Sequence, residues 1–207
     1  MSNGARFVSA TQETRYTTNI GSNDNQFHDR KPSPISAKRP CPWPLTISPH
    51  SVWTVSIGPG KISGGRVRDS RPQTITAPTP QVAAGLAAGF SALGLPYVWG
   101  GGGSGAGPNN GCARGGGDYN SCGPEIGFDC SGLTAYVLGM AGYQTPGDSG
   151  SQRSAGVSVS WSQALPGDIV GFPGHVAVYL GTFGGRPYIL EASWVGTPVH
   201  IVPLTRT

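Results

Sequence analysis

Apolar positions are periodic in the C-terminal part of this chain and sparse ahead of it. In "TPQVAAGLAAGFSALG", Val82, Leu86, Phe90 and Leu93 recur at helical spacing on one face, with small residues between them that permit close packing. Thr79 is placed to cap this helix, Pro80 suits its first position and Gly94 its end. A second helix is predicted in "GFDCSGLTAYVLGMAG", where Leu133, Tyr136, Val137 and Met140 define a buried face and Gly142 a stop. Beyond it the period shortens to two. "GDIVGF" (167–172), "HVAVYLG" (175–181), "PYILEAS" (187–193) and "PVHIVPL" (198–204) read as strands between Gly/Pro turns, and "GTFGGRP" reads as a hairpin connection. Helices followed by an antiparallel sheet predict an α+β domain.

Residues 1–50 show little of either period. "KPSPISAKRPCPWPLTISP" is rich in proline, which removes backbone donors and discourages helix and central strand alike. "WTVSIG" (53–58) alternates like a short strand before "GPGKISGG" breaks it. With so few large apolar residues this part cannot bury a core alone. The expected division is a loop-rich arm over 1–80, a linker or pro-segment, and a folded domain over 81–207.

Composition sharpens that division. Gly 34 and Pro 19 make up about a quarter of the 207 residues, while the low charged fraction of 12% argues against a fully disordered chain. The net charge of +4 is uneven: residues 1–80 carry +6 and residues 81–207 carry −2. A basic arm favours polyanions such as nucleic acid, anionic wall polymers or phospholipid headgroups, and the simpler reading is a solvated linker. No apolar h-region follows the first residues and no run approaches a membrane span, so no signal peptide and no transmembrane segment are expected.

The Gly-rich run "WGGGGSGAGPNNG" invites a phosphate-cradle reading. It lacks the Lys-Ser/Thr of a P-loop and the G-x-G-x-x-G of a βαβ turn, and nucleotide binding is set aside. Cys130, at a predicted helix start, has the position where unpaired N–H groups and the helix dipole favour a thiolate. A base is then needed. His28 and His50 fall in the arm, His200 in the last strand, and His175 opens a strand directly after the "FPGH" turn. Glu191, the lone carboxylate of "PYILEAS", is placed to fix the imidazole from a neighbouring strand. Each residue also has a bland reading: a packed cysteine, a structural histidine, a solvated acid. Cys112 and Cys122 have nine residues between them, a spacing that suits a local disulfide of about 2–3 kcal/mol and matches no zinc pattern. With Cys41 in the arm, four cysteines allow three full pairings, and the spacing does not choose among them. A free thiol beside a disulfide implies an oxidising location.

Taken in order, "GLPYVWGG", "FDCSGLTAYV", "LPGDIVGF", "GHVAVYLG" and "ILEAS…VGTPVHIVPLTRT" resemble the NlpC/P60 cysteine peptidases of bacterial cell walls, over about residues 81–207. The ending resembles the actinobacterial, resuscitation-promoting-factor-interacting (Rip-type) branch, which uses Glu where many relatives have His. The resemblance implies a papain-like α+β fold with Cys130 as nucleophile, His175 as base and Glu191 orienting it. Tyr97 is implied to line the site and help hold the tetrahedral intermediate, with the Cys130 N–H as oxyanion donor and Asp129 and Ser131 touching substrate. The implied reaction is hydrolysis of a peptidoglycan stem-peptide bond, in that branch D-γ-glutamyl to meso-diaminopimelate, without metal or cofactor. It further implies an extracellular or wall location, a monomer, and no nucleic-acid partner. A non-catalytic wall-binding module and an amidase or acyltransferase on the same fold are the alternatives. The loop from Trp99 to Phe128 is long for the family, the segment before His175 is short, and Ser193 stands where that branch has Pro.

Overall fold

Val, Ile and aromatic residues alternate through residues 169–203, and here the computed structural model forms a meander. It describes residues 6–9, 52–58, 73–103, 105–112 and 123–205. Strands β5 (Ile169–Phe172), β6 (His175–Phe183), β7 (Arg186–Glu191) and β8 (His200–Pro203) pair antiparallel in chain order. Two tight turns set the register. Pro173 and Gly174 (φ +70°) join the paired residues Phe172 and His175. Gly184 and Gly185, both at positive φ, join Phe183 and Arg186, as a type I′ hairpin requires.

Not all of the sheet is antiparallel. A strand the hydrophobic pattern did not signal, β1 (Arg6–Ser9), lies between β5 and β4 (Val157–Val159) and runs parallel to both, giving the order β4-β1-β5-β6-β7-β8. Phe7 and Val8 are buried there, and Arg6 pairs through Nε with Asp168 Oδ1 at 3.2 Å. A separate two-stranded sheet joins β2 (Trp53–Ile57) to β3 (Gln73–Ala77) antiparallel. Its Ile57, Ile75 and Ala77 are buried in the same core as the helices, so these strands share a core they could not build alone.

Helix α1 (Pro80–Ser91) is capped as expected: the Thr79 side chain accepts the Val82 N–H at 3.1 Å and Pro80 takes the first turn. It crosses α2 (Cys130–Met140) closely, because a Cβ on Gly85 would stand 2.4 Å from the Val137 carbonyl oxygen. The main core joins Leu86, Leu133 and Val137 to Val178, Leu180, Leu190 and Ile201 of the sheet. The alternate residues Ala177, Tyr179 and Ile189 pack on the other face with Val170 and Phe172, so β6 is covered on both sides. Two details differ from the pattern. Met140, expected inside, is 51% exposed in the last turn of α2. A third helix, α3 (Ser149–Ala155), forms from the polar sequence SGSQRSA, where the Asp148 carboxylate caps the Ser151 N–H at 2.8 Å. Among the described residues no helix is long and apolar enough to cross a membrane.

Candidate active site

Helix α2 starts at Cys130 because Asp129 caps it. One carboxylate oxygen of Asp129 accepts the Gly132 N–H at 2.6 Å and the Ser131 hydroxyl at 2.9 Å, and the other accepts the Gly100 N–H at 3.0 Å. The cap therefore also ties the Gly-rich loop to the helix start. That loop approaches so closely that a Cβ on Gly132 would lie 1.9 Å from the Gly101 carbonyl oxygen, and one on Gly127 2.0 Å from that of Pro96. The glycines of "WGGGG" serve backbone-to-backbone packing here. Tyr97 sits in the same cluster, buried, bridging to Phe128 two residues before Cys130.

From the other side, α3 fixes the first turn of α2. Buried Gln152 accepts from the Thr134 hydroxyl at 2.5 Å and donates to the carbonyls of Ser131 and Pro146, each at 2.8 Å. Sequence reading missed Gln152, since nothing in a polar heptapeptide marks one amide for burial. Asp129 and Ser131, singled out as substrate contacts, are both buried with their polar groups engaged within this frame.

His175 opens β6 with its ring stacked on Phe172, centroids 5.7 Å apart at 29°. The register Val178↔Leu190 sets Glu191 diagonally across from it on the same face of the sheet. His175 Nε2 meets Glu191 Oε2 at 2.7 Å, and Glu191 is only 2% exposed. With the Nε2 proton donated to the carboxylate, Nδ1 is the ring nitrogen left to take a proton.

Cys130 is a free thiol packed against Val176, Ile169, Leu138 and Phe7. Its sulfur lies within reach of the backbone N–H of Val176, the residue after His175, as well as those of Ser131 and Cys130 itself. The sulfur of the nucleophile candidate thus lies against the backbone one residue beyond the base candidate, where α2 abuts the start of β6. The helix-start argument predicted an acidified thiol; burial, and then the Asp129 charge, outweigh the N–H groups and push it up to about 11. The resting group is a neutral thiol. Cys112 is disulfide-bonded, but Cys122 and Cys41 lie outside the described residues, so the expected Cys112–Cys122 bond is not among the features seen. His28 and His50 also lie outside them.

The chain thus carries a helix-start cysteine, a sheet histidine and a buried carboxylate on an α+β frame. The model of the NlpC/P60 family matches residues 94–206, and the chain belongs to that family. The peptidoglycan endopeptidase RipA of Mycobacterium tuberculosis is 40% identical over 121 residues, which is 56% of this chain and 23% of that protein. Peptidoglycan endopeptidase RipB of the same species is 38% identical over 120 residues, 56% of this chain and 45% of that one. The solved structure of the peptidoglycan hydrolase RipB superposes with a TM-score of 0.51 at 36% identity, covering 61% of this chain and 60% of that chain. The match spans less than half the length of these curated relatives.

Proposed function

We propose that this chain is a cell-wall cysteine endopeptidase that hydrolyses a peptide bond of the peptidoglycan stem, the D-γ-glutamyl to meso-diaminopimelate bond. The observation that carries this reading is the approach of the free Cys130 sulfur to the Val176 N–H, directly beside a His175 anchored on buried Glu191. The names of the similar proteins RipA and RipB supply the substrate class.

In the proposed reaction His175 Nδ1 takes the Cys130 proton as sulfur attacks the scissile carbonyl, a transfer needed because the thiol by itself stays protonated to about 11. Glu191 holds the ring and stabilises the imidazolium that forms. The Cys130 N–H, with Tyr97 nearby, supports the oxyanion. When the C–N bond breaks, the Nδ1 proton goes to the leaving amine. Water, giving its proton back to His175, then cleaves the thioester and releases the acid and the thiol. The basic N-terminal part suits anionic wall polymers, and the site of action is the wall or the extracellular space.

The test is mass analysis of muropeptides released from purified peptidoglycan by wild type and Cys130→Ala. Loss of a product ending in D-γ-glutamate only in the variant is expected. No release by either protein would leave a non-catalytic wall-binding module, and a transfer or amide product would point to an acyltransferase or amidase.

A further inference from the structure

Glu191 has a second histidine beside it. The β7–β8 register pairs Glu191 directly with His200, and His200 Nε2 stands 3.5 Å from Glu191 Oε1, the oxygen not used by His175. That is an ion-pair separation rather than a hydrogen bond. The ring is held in place from its other side, because His200 Nδ1 lies 2.6 Å from the Pro198 carbonyl oxygen, which has no proton to give. Nδ1 is therefore the protonated nitrogen. Nε2 can then attract Oε1 only when it too carries a proton, for otherwise its lone pair faces the carboxylate. Two titratable groups brought to this carboxylate are His175 from β6 and His200 from β8, whose side chains are 12% and 16% exposed. A carboxylate that is 2% exposed needs such partners to remain ionised.

We infer that His200 is a positioning residue for Glu191: its cationic ring holds Oε1, so that Oε2 is presented, still charged, to His175. His200 touches neither the thiol nor a substrate atom in this scheme, and acts through the carboxylate alone. The inference deepens the proposed function and rests on the reading of Cys130, His175 and Glu191 as the reacting set.

Two measurements on the full chain test this. Long-range proton–nitrogen spectra of histidine-labelled wild type are expected to show His200 Nδ1 protonated throughout. The Nε2 resonance should move in Glu191→Gln while that of Nδ1 stays in place. A bare Nδ1, or an Nε2 resonance that ignores Glu191→Gln, overturns the inference. In kinetics, His200→Gln is expected to lower kcat about tenfold with KM within about twofold, and His200→Lys, which restores a cation, to recover kcat to within about threefold. Wild-type kcat in His200→Gln, or a His200→Lys variant no better than it, also overturns it. If wild type released no muropeptide, the proposed function would fail, while the spectra would still decide whether His200 holds Glu191. The wild-type spectra need no substitution, so a variant that fails to fold leaves the nitrogen assignment decisive.

Discussion

The two halves of the candidate site are built from different materials. The nucleophile half, Asp129–Gly132 with the Gly100–Gly102 loop, is a backbone assembly held by caps and by contacts too close for any Cβ. The base half is a row of side chains on three strands, with Glu191 between His175 and His200. The first sets where the sulfur sits; in the proposed reaction the second supplies the charge that draws off its proton. Position comes from sterics and reactivity from electrostatics, and substitutions in each half should fail in different ways.

The largest effect is expected in the base half. Glu191→Gln keeps the shape but removes the charge from His175, and should lower kcat by roughly a hundredfold while leaving the thermal midpoint within a few degrees. A kcat near wild type would show that His175 needs no anchor. Gly132→Ala should do the opposite. The new Cβ meets the Gly101 carbonyl, so backbone must move, with a cost of about 2–4 kcal/mol in denaturant unfolding and lost activity as a consequence. An unchanged unfolding midpoint would mean that the loop gives way freely.

Asp129 links the two effects, since it caps the helix and also raises the thiol's pKa. Asp129→Asn retains a cap acceptor and removes the charge. Alkylation of Cys130 at pH 9 should then run about threefold faster, less than a full release because burial is the larger cause. The raised thiol has a stability consequence with a definite sign. Between its ordinary value of 9.0 and about 11, the folded state holds a proton that the unfolded chain has lost. Stability therefore falls as pH rises through that window, and Cys130→Ala should flatten the decline in melts from pH 8.5 to 11. The smallest effect is at Met140. At 51% exposure, Met140→Ala should change stability by less than about 0.5 kcal/mol, although the periodicity places it in the core.

Much of this arrangement was legible in the residues. Thr79 and Pro80 announce α1, the paired glycines 184 and 185 announce their hairpin, and four alternating segments announce β5 to β8. Cys130, His175 and Glu191 could be singled out as candidates because each stands at the end of a largely apolar element. What escaped notice depends on distant partners. Four residues, "RFVS", carry no usable period, and become a strand only through pairing with residues some 150 positions away. Helix α3 has no apolar stripe and exists through its cap and Gln152. The direction of the thiol's shift was misjudged because helix position is visible in sequence, whereas the burial that opposes it is not. His200 appeared as one more strand residue until the register placed it against Glu191.

The inner position of β1 separates the family boundary from the folding boundary. A protein trimmed to the matched residues 94–206 would retain Cys130, His175 and Glu191, yet it would lack the strand that joins β5 to β4. Two rows of backbone donors and acceptors would then be left open, and Gly171 would lose the Phe7 ring packed over it. Such edges recruit other chains, so the shortened protein, which also loses α1 from the core and Phe7 from the cluster beside Cys130, should clump through its sheet.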